Sequence, residues 1–135
     1  MKVLAEPPSR VVVAEIAGKG RGLVATADVV AGTQLFSDPV IVVGDATEIA
    51  RLEQTALSNW LVYWRDGAVC ITCGWTLLLN HTRRTELRNV TAERDEARRL
   101  IHVVATRDIA AGEELLFDYE LSDEDLRDYG IPLDA

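Results

Sequence analysis

One stretch of this chain is written twice. Ala25-Thr26-Ala27-Asp28-Val29-Val30-Ala31-Gly32-Thr33-Gln34-Leu35 returns 80 residues later as Ala105-Thr106-Arg107-Asp108-Ile109-Ala110-Ala111-Gly112-Glu113-Glu114-Leu115, with alanine, threonine, aspartate, alanine, glycine and leucine at matching places. A solenoid needs several closely spaced repeats, so two distant copies point instead to one supersecondary unit used twice inside a single fold. In each copy a β-prone segment (Gly22 to Thr26; Ile101 to Thr106) meets an aspartate, a hydrophobic pair and Ala-Gly, and then a further apolar stretch. That is strand, turn, strand, with Gly32 and Gly112 free to take positive φ where the chain reverses.

The text between the copies adds short elements. Ala46 to Asn59 carries Ile49, Leu52, Ala56 and Leu57 at helical spacing, with Asp45 or Thr47 as cap, and predicts a helix of about three turns. Trp60 to Trp64 and Ala68 to Thr72, separated by Arg65-Asp66-Gly67, predict a hairpin closed on the Asp-Gly pair. Arg83 to Arg99 is charged enough for a helix, but Asn89-Val90-Thr91 and Leu100 to Val104 favour two strands joined by a charged turn. Ser122 followed by Asp123, Glu124 and Asp125 starts a short terminal helix that Gly130 and Pro132 stop. Strands and helices do not alternate, which excludes a doubly wound sheet. The fold class expected is mainly β with short helices, an α+β arrangement, and 135 residues fit one domain with its core over about residues 10–120.

Composition removes several functions. A net charge of -8 gives no basic stripe for a nucleic-acid backbone. Pro39 to Val43 and Trp75 to Leu79 fall far short of the roughly 20 apolar residues of a membrane helix, and Val3-Leu4-Ala5 is too short for a secretory signal. A cytoplasmic location is expected. Cys70 and Cys73 have C-x-x-C spacing, yet they lie in a β-prone segment that runs into Gly74, and His81 and His102 lack the spacing that would complete a zinc site. They read as two buried or half-buried strand thiols, and no metal is expected.

Three segments could carry chemistry. Gly18-Lys19-Gly20-Arg21-Gly22 precedes a strand rather than a helix, so it is a poor phosphate loop and a better glycine bend against some other ligand. Asn80-His81 ends the apolar run Trp75 to Leu79 with an abrupt polar switch. Gly112 to Tyr119 reads as a strand with Leu115, Phe117 and Tyr119 on one face, and on its own would be core packing.

In this order, the three segments resemble the SET-domain protein lysine methyltransferases. The family's G-x-G bend before a strand matches Gly20-Arg21-Gly22, and its Asn-His pair after an apolar run matches Leu79-Asn80-His81-Thr82. Its closing signature A-T-R-D-I-x-x-G-E-E-L-x-x-D-Y matches Ala105 to Tyr119 at every fixed position, and the resemblance extends over roughly Arg10 to Glu120. Small stand-alone microbial members are the nearest in character. The resemblance implies a β-clip of small curved sheets with a threaded C-terminal segment. It also implies S-adenosylmethionine held by the backbone of Lys19, Gly20, Arg21 and Gly22 and by Asn80 and His81. Tyr119 would stand at the methyl-transfer centre, Phe117 would set how many methyl groups fit, and Trp60 with Phe117 would line the lysine channel. A basic protein or peptide would be the substrate, with di- or trimethylation implied by a phenylalanine at position 117.

The chain also departs from the family. Where relatives commonly carry Pro-Asn after the Asn-His pair, it has Thr85-Glu86, so that loop is expected to be rebuilt. No cysteine follows Cys73, so Leu121 to Ala135 must close the site by packing, with Leu126 and Tyr129 as covers. A closure this short is compatible with a homodimer that borrows a partner's surface. A catalytically silent member that binds a protein partner is the competing reading, and a sugar-binding clip is a remote third.

Overall fold

The computed structural model describes Met1 and residues 8–135, so the N-terminal stretch read against a secretory signal lies outside the described residues. It is mainly β with two short helices. The strands are β1 (Val11–Ile16), β2 (Gly20–Ala25), β3 (Gln34–Val43), β4 (Val62–Tyr63), β5 (Val69–Thr72), β6 (Asn80–His81), β7 (Val90–Asp95), β8 (Leu100–Ala105) and β9 (Leu116–Phe117). The helices are α1 (Ala46–Leu52) and α2 (Asp123–Asp128). They build a β1-β2 ribbon, a five-stranded sheet ordered β4-β5-β3-β8-β7, and a parallel β6-β9 pair. Leu23, Leu79, Val103, Ile109 and Leu115, from different sheets and turns, meet in one buried cluster.

The duplicated segments clasp each other. Val29 and Ile109 exchange both backbone hydrogen bonds, at 2.8 and 2.9 Å. The bond from Gly32 N to Ala105 O (2.8 Å) is answered by one from Gly112 N to Ala25 O (2.8 Å), and Ala105 N to Thr33 O by Ala25 N to Glu113 O, both 2.9 Å. Even the side chains reciprocate: Ala31 N donates to Asp108 Oδ1 at 2.8 Å and Ala111 N to Asp28 Oδ1 at 2.9 Å. Each contact maps onto its mate when the two copies are interchanged, so the clasp is an internal two-fold joint. Gly32 and Gly112 take φ of +86° and +91° at equivalent places, where a side chain would be strained.

The predicted hairpins form. β4 pairs with β5 across Arg65-Asp66-Gly67, where Asp66 and Gly67 both have positive φ (51° and 79°), the backbone of a two-residue hairpin turn. β7 pairs with β8 around the charged turn, as the strand reading of Arg83 to Arg99 required. Ser122 caps α2 by accepting from Asp125 N, and Leu126 is fully buried.

Three expectations are corrected. The helix from Ala46 to Asn59 stops at Leu52: Asp45 caps its start, but Thr55 Oγ1 donates to Leu52 O and accepts from Leu57 N, diverting the backbone groups the next turn would need. Trp60 is not in a strand; it ends a 3-10 turn, Ser58–Trp60, and the strand is only Val62–Tyr63. Cys70 is fully buried, whereas Cys73 lies beyond β5 and is exposed. Both are free thiols. Burial pushes the Cys70 thiol up to about 11, so it is inert.

Candidate functional site

The glycine bend is the tip of the β1-β2 ribbon. Gly18 and Gly20 take φ of +76° and +80°, which turns the chain between Ile16 and Gly20. Gly22 lies opposite Ala14 in the ribbon and serves another purpose: a Cβ there would meet Asn80 Nδ2 and Ile16 Cγ1 at 2.7 Å and Glu114 Oε1 at 2.9 Å. The absent side chain is what lets Asn80 lie against the bend. Asn80 Nδ2 donates to Arg21 O (3.1 Å) and Glu114 Oε1 (2.7 Å), and Lys19 Nζ pairs with Glu114 Oε2 at 3.0 Å. We expect Gly22→Ala to push Asn80 away from Arg21 O and Glu114 and to cost about 1–3 kcal/mol of stability, read from urea midpoints.

The C-terminal strand crosses this cluster. Asn89, buried, donates from Nδ2 to Glu114 O and accepts from Leu116 N on Oδ1, both at 2.8 Å, while Thr82 N donates to Phe117 O at 3.0 Å. Residues 114–117 therefore pass between Asn80-Thr82 on one side and Asn89 on the other, under the connecting loop 83–88. That loop holds Thr85 and Glu86, both exposed, with Glu86 paired to Arg84. Its ends tie to the closure: Arg83 binds Leu121 O and Asp123, and Arg88 binds Asp118. Of the strand expected over Gly112 to Tyr119 only Leu116–Phe117 forms; Leu115 is buried in the core, Phe117 packs against that core, and the Phe117 and Tyr119 ring centroids lie 4.9 Å apart.

Tyr119 is the hub. Its hydroxyl donates to Leu79 O at 2.5 Å and its N–H donates to His81 Nδ1 at 3.0 Å. Burial, with the Glu114 charge behind it, pushes its phenol up to about 12, so it is neutral at physiological pH. Because His81 Nδ1 accepts, the neutral ring carries its proton on Nε2, a buried donor with no acceptor among the described residues. Burial holds the His81 pKa below its usual value, and Arg83 and Arg88 add to this against the opposing pull of Asp118.

A cavity of about 530 Å³ opens on the other side of Tyr119. Trp60, Leu61, Val62, Leu77 and Ile101 wall it, Leu121, Tyr129 and Ile131 of the closure cover it, and Phe117, Asp118 and Tyr119 form its inner end. None of Lys19, Gly20, Arg21, Gly22, Asn80 and His81 borders it. Lys19 to Gly22, Asn80 and His81 thus form a bend cluster and Trp60 and Phe117 line an apolar cavity, the two meeting at Phe117–Tyr119, whereas Leu126, expected as a cover, is buried and does not border the cavity. Thr85 and Glu86 belong to neither. Sequence reasoning missed Glu114, which joins Lys19 to Asn80, and Asp38, a buried carboxylate that accepts from Thr76 N and Oγ1 (2.5 and 2.7 Å) and so holds the 3-10 turn Trp75–Leu78 leading into Leu79-Asn80. Asp38 had a visible signal: an acid inside the largely apolar strand Gln34–Val43 must find partners when buried.

The chain is similar in structure to the SET8 protein of Cryptosporidium, with 26% identity, 84% of this chain covered and a TM-score of 0.66. It spans 58% of the length of that protein. A proposed histone methyltransferase of Plasmodium falciparum shares the fold at 15% identity, over 88% of this chain and 98% of the other, with a TM-score of 0.62. A search of curated proteins finds no match. No helix among the described residues is long and apolar enough to cross a membrane. The SET domain family model matches residues 20–120, which hold the bend, Asn80-His81 and the closing segment through Tyr119, and the chain belongs to the SET-domain family.

Proposed function

We propose that this protein transfers methyl groups from S-adenosylmethionine to a lysine side chain of a basic protein or peptide. The observation that carries the reading is the position of Tyr119, whose ring borders the cavity while its N–H holds His81 of the bend cluster. A reaction between a donor on one side and an amine on the other needs such a shared wall, because the two must be aligned before they react.

The residues of the bend cluster fit the cofactor. Gly22 leaves room for Asn80 against the bend, Lys19 to Arg21 are exposed, and His81 keeps an unspent buried donor. S-adenosylmethionine, when bound, supplies a methyl group on a positively charged sulfur. Lys19, Gly20, Arg21 and Gly22 would hold it with backbone groups, and Asn80 and His81 with polar ones. Across the wall, the cavity formed by Trp60, Leu61 and Val62 strips water from an incoming lysine, which lowers its pKa and favours the neutral amine that can attack. The Tyr119 hydroxyl donates its hydrogen bond to Leu79 O, which leaves its oxygen lone pairs to accept weak C–H contacts. With Asp118 paired to Arg88 and Arg94 also at the cavity, it is Glu120 at the rim and the net charge of -8 that favour a basic substrate.

Titration with S-adenosylmethionine, followed by mass spectrometry of a lysate treated with labelled cofactor, tests the proposal. Binding and labelled lysines are expected; an intact protein that binds no cofactor would overturn it.

Phe117 gives a further expectation. It lines the cavity beside Tyr119 and adds no hydroxyl, which leaves space for a partly methylated amine to turn and react again. Wild type should reach di- or trimethyllysine, and Phe117→Tyr should stop mainly at monomethyllysine at matched turnover. An unchanged product distribution in a stable mutant would leave Phe117 with packing alone.

A further inference from the structure

The two ends of the Asn80 amide differ in chemistry, and the fold decides which end faces where. Nδ2 points at Arg21 O and Glu114 Oε1. A carbonyl and a carboxylate can only accept, so the nitrogen must face them, and the orientation follows from the partners. Both amide protons are then used. Oδ1 is left on the opposite side, and among the described residues no donor meets it.

The carboxylate that enforces this is itself tightly held. Glu114 pairs with Val24 as an isolated bridge, its carbonyl accepts from buried Asn89, and its second oxygen takes Lys19 Nζ at 3.0 Å. Its side chain is only 15% exposed, so the charge-assisted bond to Asn80 is partly shielded from water, whereas the Lys19 end is more open. The geometry points to Glu114 as a positioning residue that sets the polarity of Asn80, so that Asn80 offers a bound ligand an acceptor and selects an amino group. The inference rests on the cofactor reading above, in which the ligand carries two amino groups, an adenine amine and an α-ammonium.

Calorimetric titration of the full chain with S-adenosylmethionine and with 5′-methylthioadenosine, which lacks the amino-acid portion, tests it. Glu114→Ala frees the Asn80 amide to turn and should weaken S-adenosylmethionine binding by about tenfold, the loss of one buried hydrogen bond. Glu114→Gln keeps an acceptor for Asn80 Nδ2 and should stay within about threefold of wild type, a rescue that a purely electrostatic role would not give. Because Glu114 acts through Asn80, the double variant Glu114→Ala with Asn80→Ala should bind no more weakly than Asn80→Ala alone. Methylthioadenosine identifies the amine: unchanged affinity in Glu114→Ala assigns the α-ammonium, and a parallel loss that Glu114→Gln restores assigns the adenine amine. Equal losses in the alanine and glutamine variants, or additive losses in the double variant, overturn the role of Glu114 while wild type still binds. Failure of wild type to bind either ligand overturns the cofactor reading itself. Should Glu114→Ala not fold, hydrogen exchange of the Asn80 side-chain amide in wild type decides. Protons that stay protected when cofactor is added support the proposal, and protons that lose their protection overturn it.

Discussion

Tyr119→Phe is expected to lower the rate of methyl transfer by about a hundredfold or more while cofactor affinity stays within about twofold, since a single group aimed at a reacting centre is commonly worth that much. The hydroxyl bonds to Leu79 O, whereas the hydrogen bonds of the bend cluster run through Lys19, Arg21, Asn80 and Glu114. Its loss should therefore appear in kcat and leave cofactor binding alone. The ring would remain packed against Phe117 and His81, at centroid distances of 4.9 and 5.0 Å. Leu79 O would lose its donor, costing about 1–3 kcal/mol of stability, so assays belong well below the melting temperature. With the phenol pushed up to about 12, a rise of wild-type rate between pH 7 and 9 is not ionisation of Tyr119. Turnover near that of wild type on a verified substrate would remove Tyr119 from the reaction.

The largest loss of stability is expected at a position with no part in the chemistry. Gly74 lies so close to Asp38 that a methyl group there would be driven into the carboxyl group. That carboxylate is buried and already committed to Thr76 N and Oγ1, so it has nowhere to retreat. Overpacking and the disturbance of a charged buried acceptor add, and Gly74→Ala should cost about 3 kcal/mol or more. Asp38→Ala should cost a comparable amount by stranding the Thr76 donors. Urea midpoints measure both, and a Gly74→Ala protein within 1 kcal/mol of wild type would show that the turn can shift freely. Since Trp75–Leu78 delivers Leu79 and Asn80 to the site, both variants should also weaken cofactor binding.

Much of this architecture was legible because it is written locally. The Asp66-Gly67 turn, the charged turn between β7 and β8 and the Ser122 cap each depend on a few neighbouring residues whose chemistry decides the backbone. The pair of β-units was legible because it is repeated. The helix boundary near Leu52 was not, because a competing Thr55 hydroxyl is invisible to apolar spacing. Cys73 and Trp60 were misplaced for a related reason: a strand of two to four residues is too short for alternation to mark its ends. Glu114 and Asp38 were missed because their partners, Lys19, Asn80 and Thr76, are 34 to 95 residues away in sequence. The roles proposed for Tyr119, Asn80 and His81 came from resemblance, since a lone tyrosine or an Asn-His pair says little by itself.

The internal two-fold joint has a consequence for how such a chain can change. Its halves recognise each other through reciprocal contacts, and the 69 residues between Leu35 and Ala105 take no part in them. Closing a loop of that size carries an entropic cost that grows only logarithmically, so doubling its length would add about 0.6 kcal/mol. New chain can therefore be admitted at the surface of this region without loosening the clasp. The same region carries Trp60, Leu61 and Val62, the wall of the cavity. What the joint holds constant and what the cavity presents to a substrate are in this way free to vary separately, and a graft between Thr55 and Trp60 is where a changed substrate preference would cost the scaffold least.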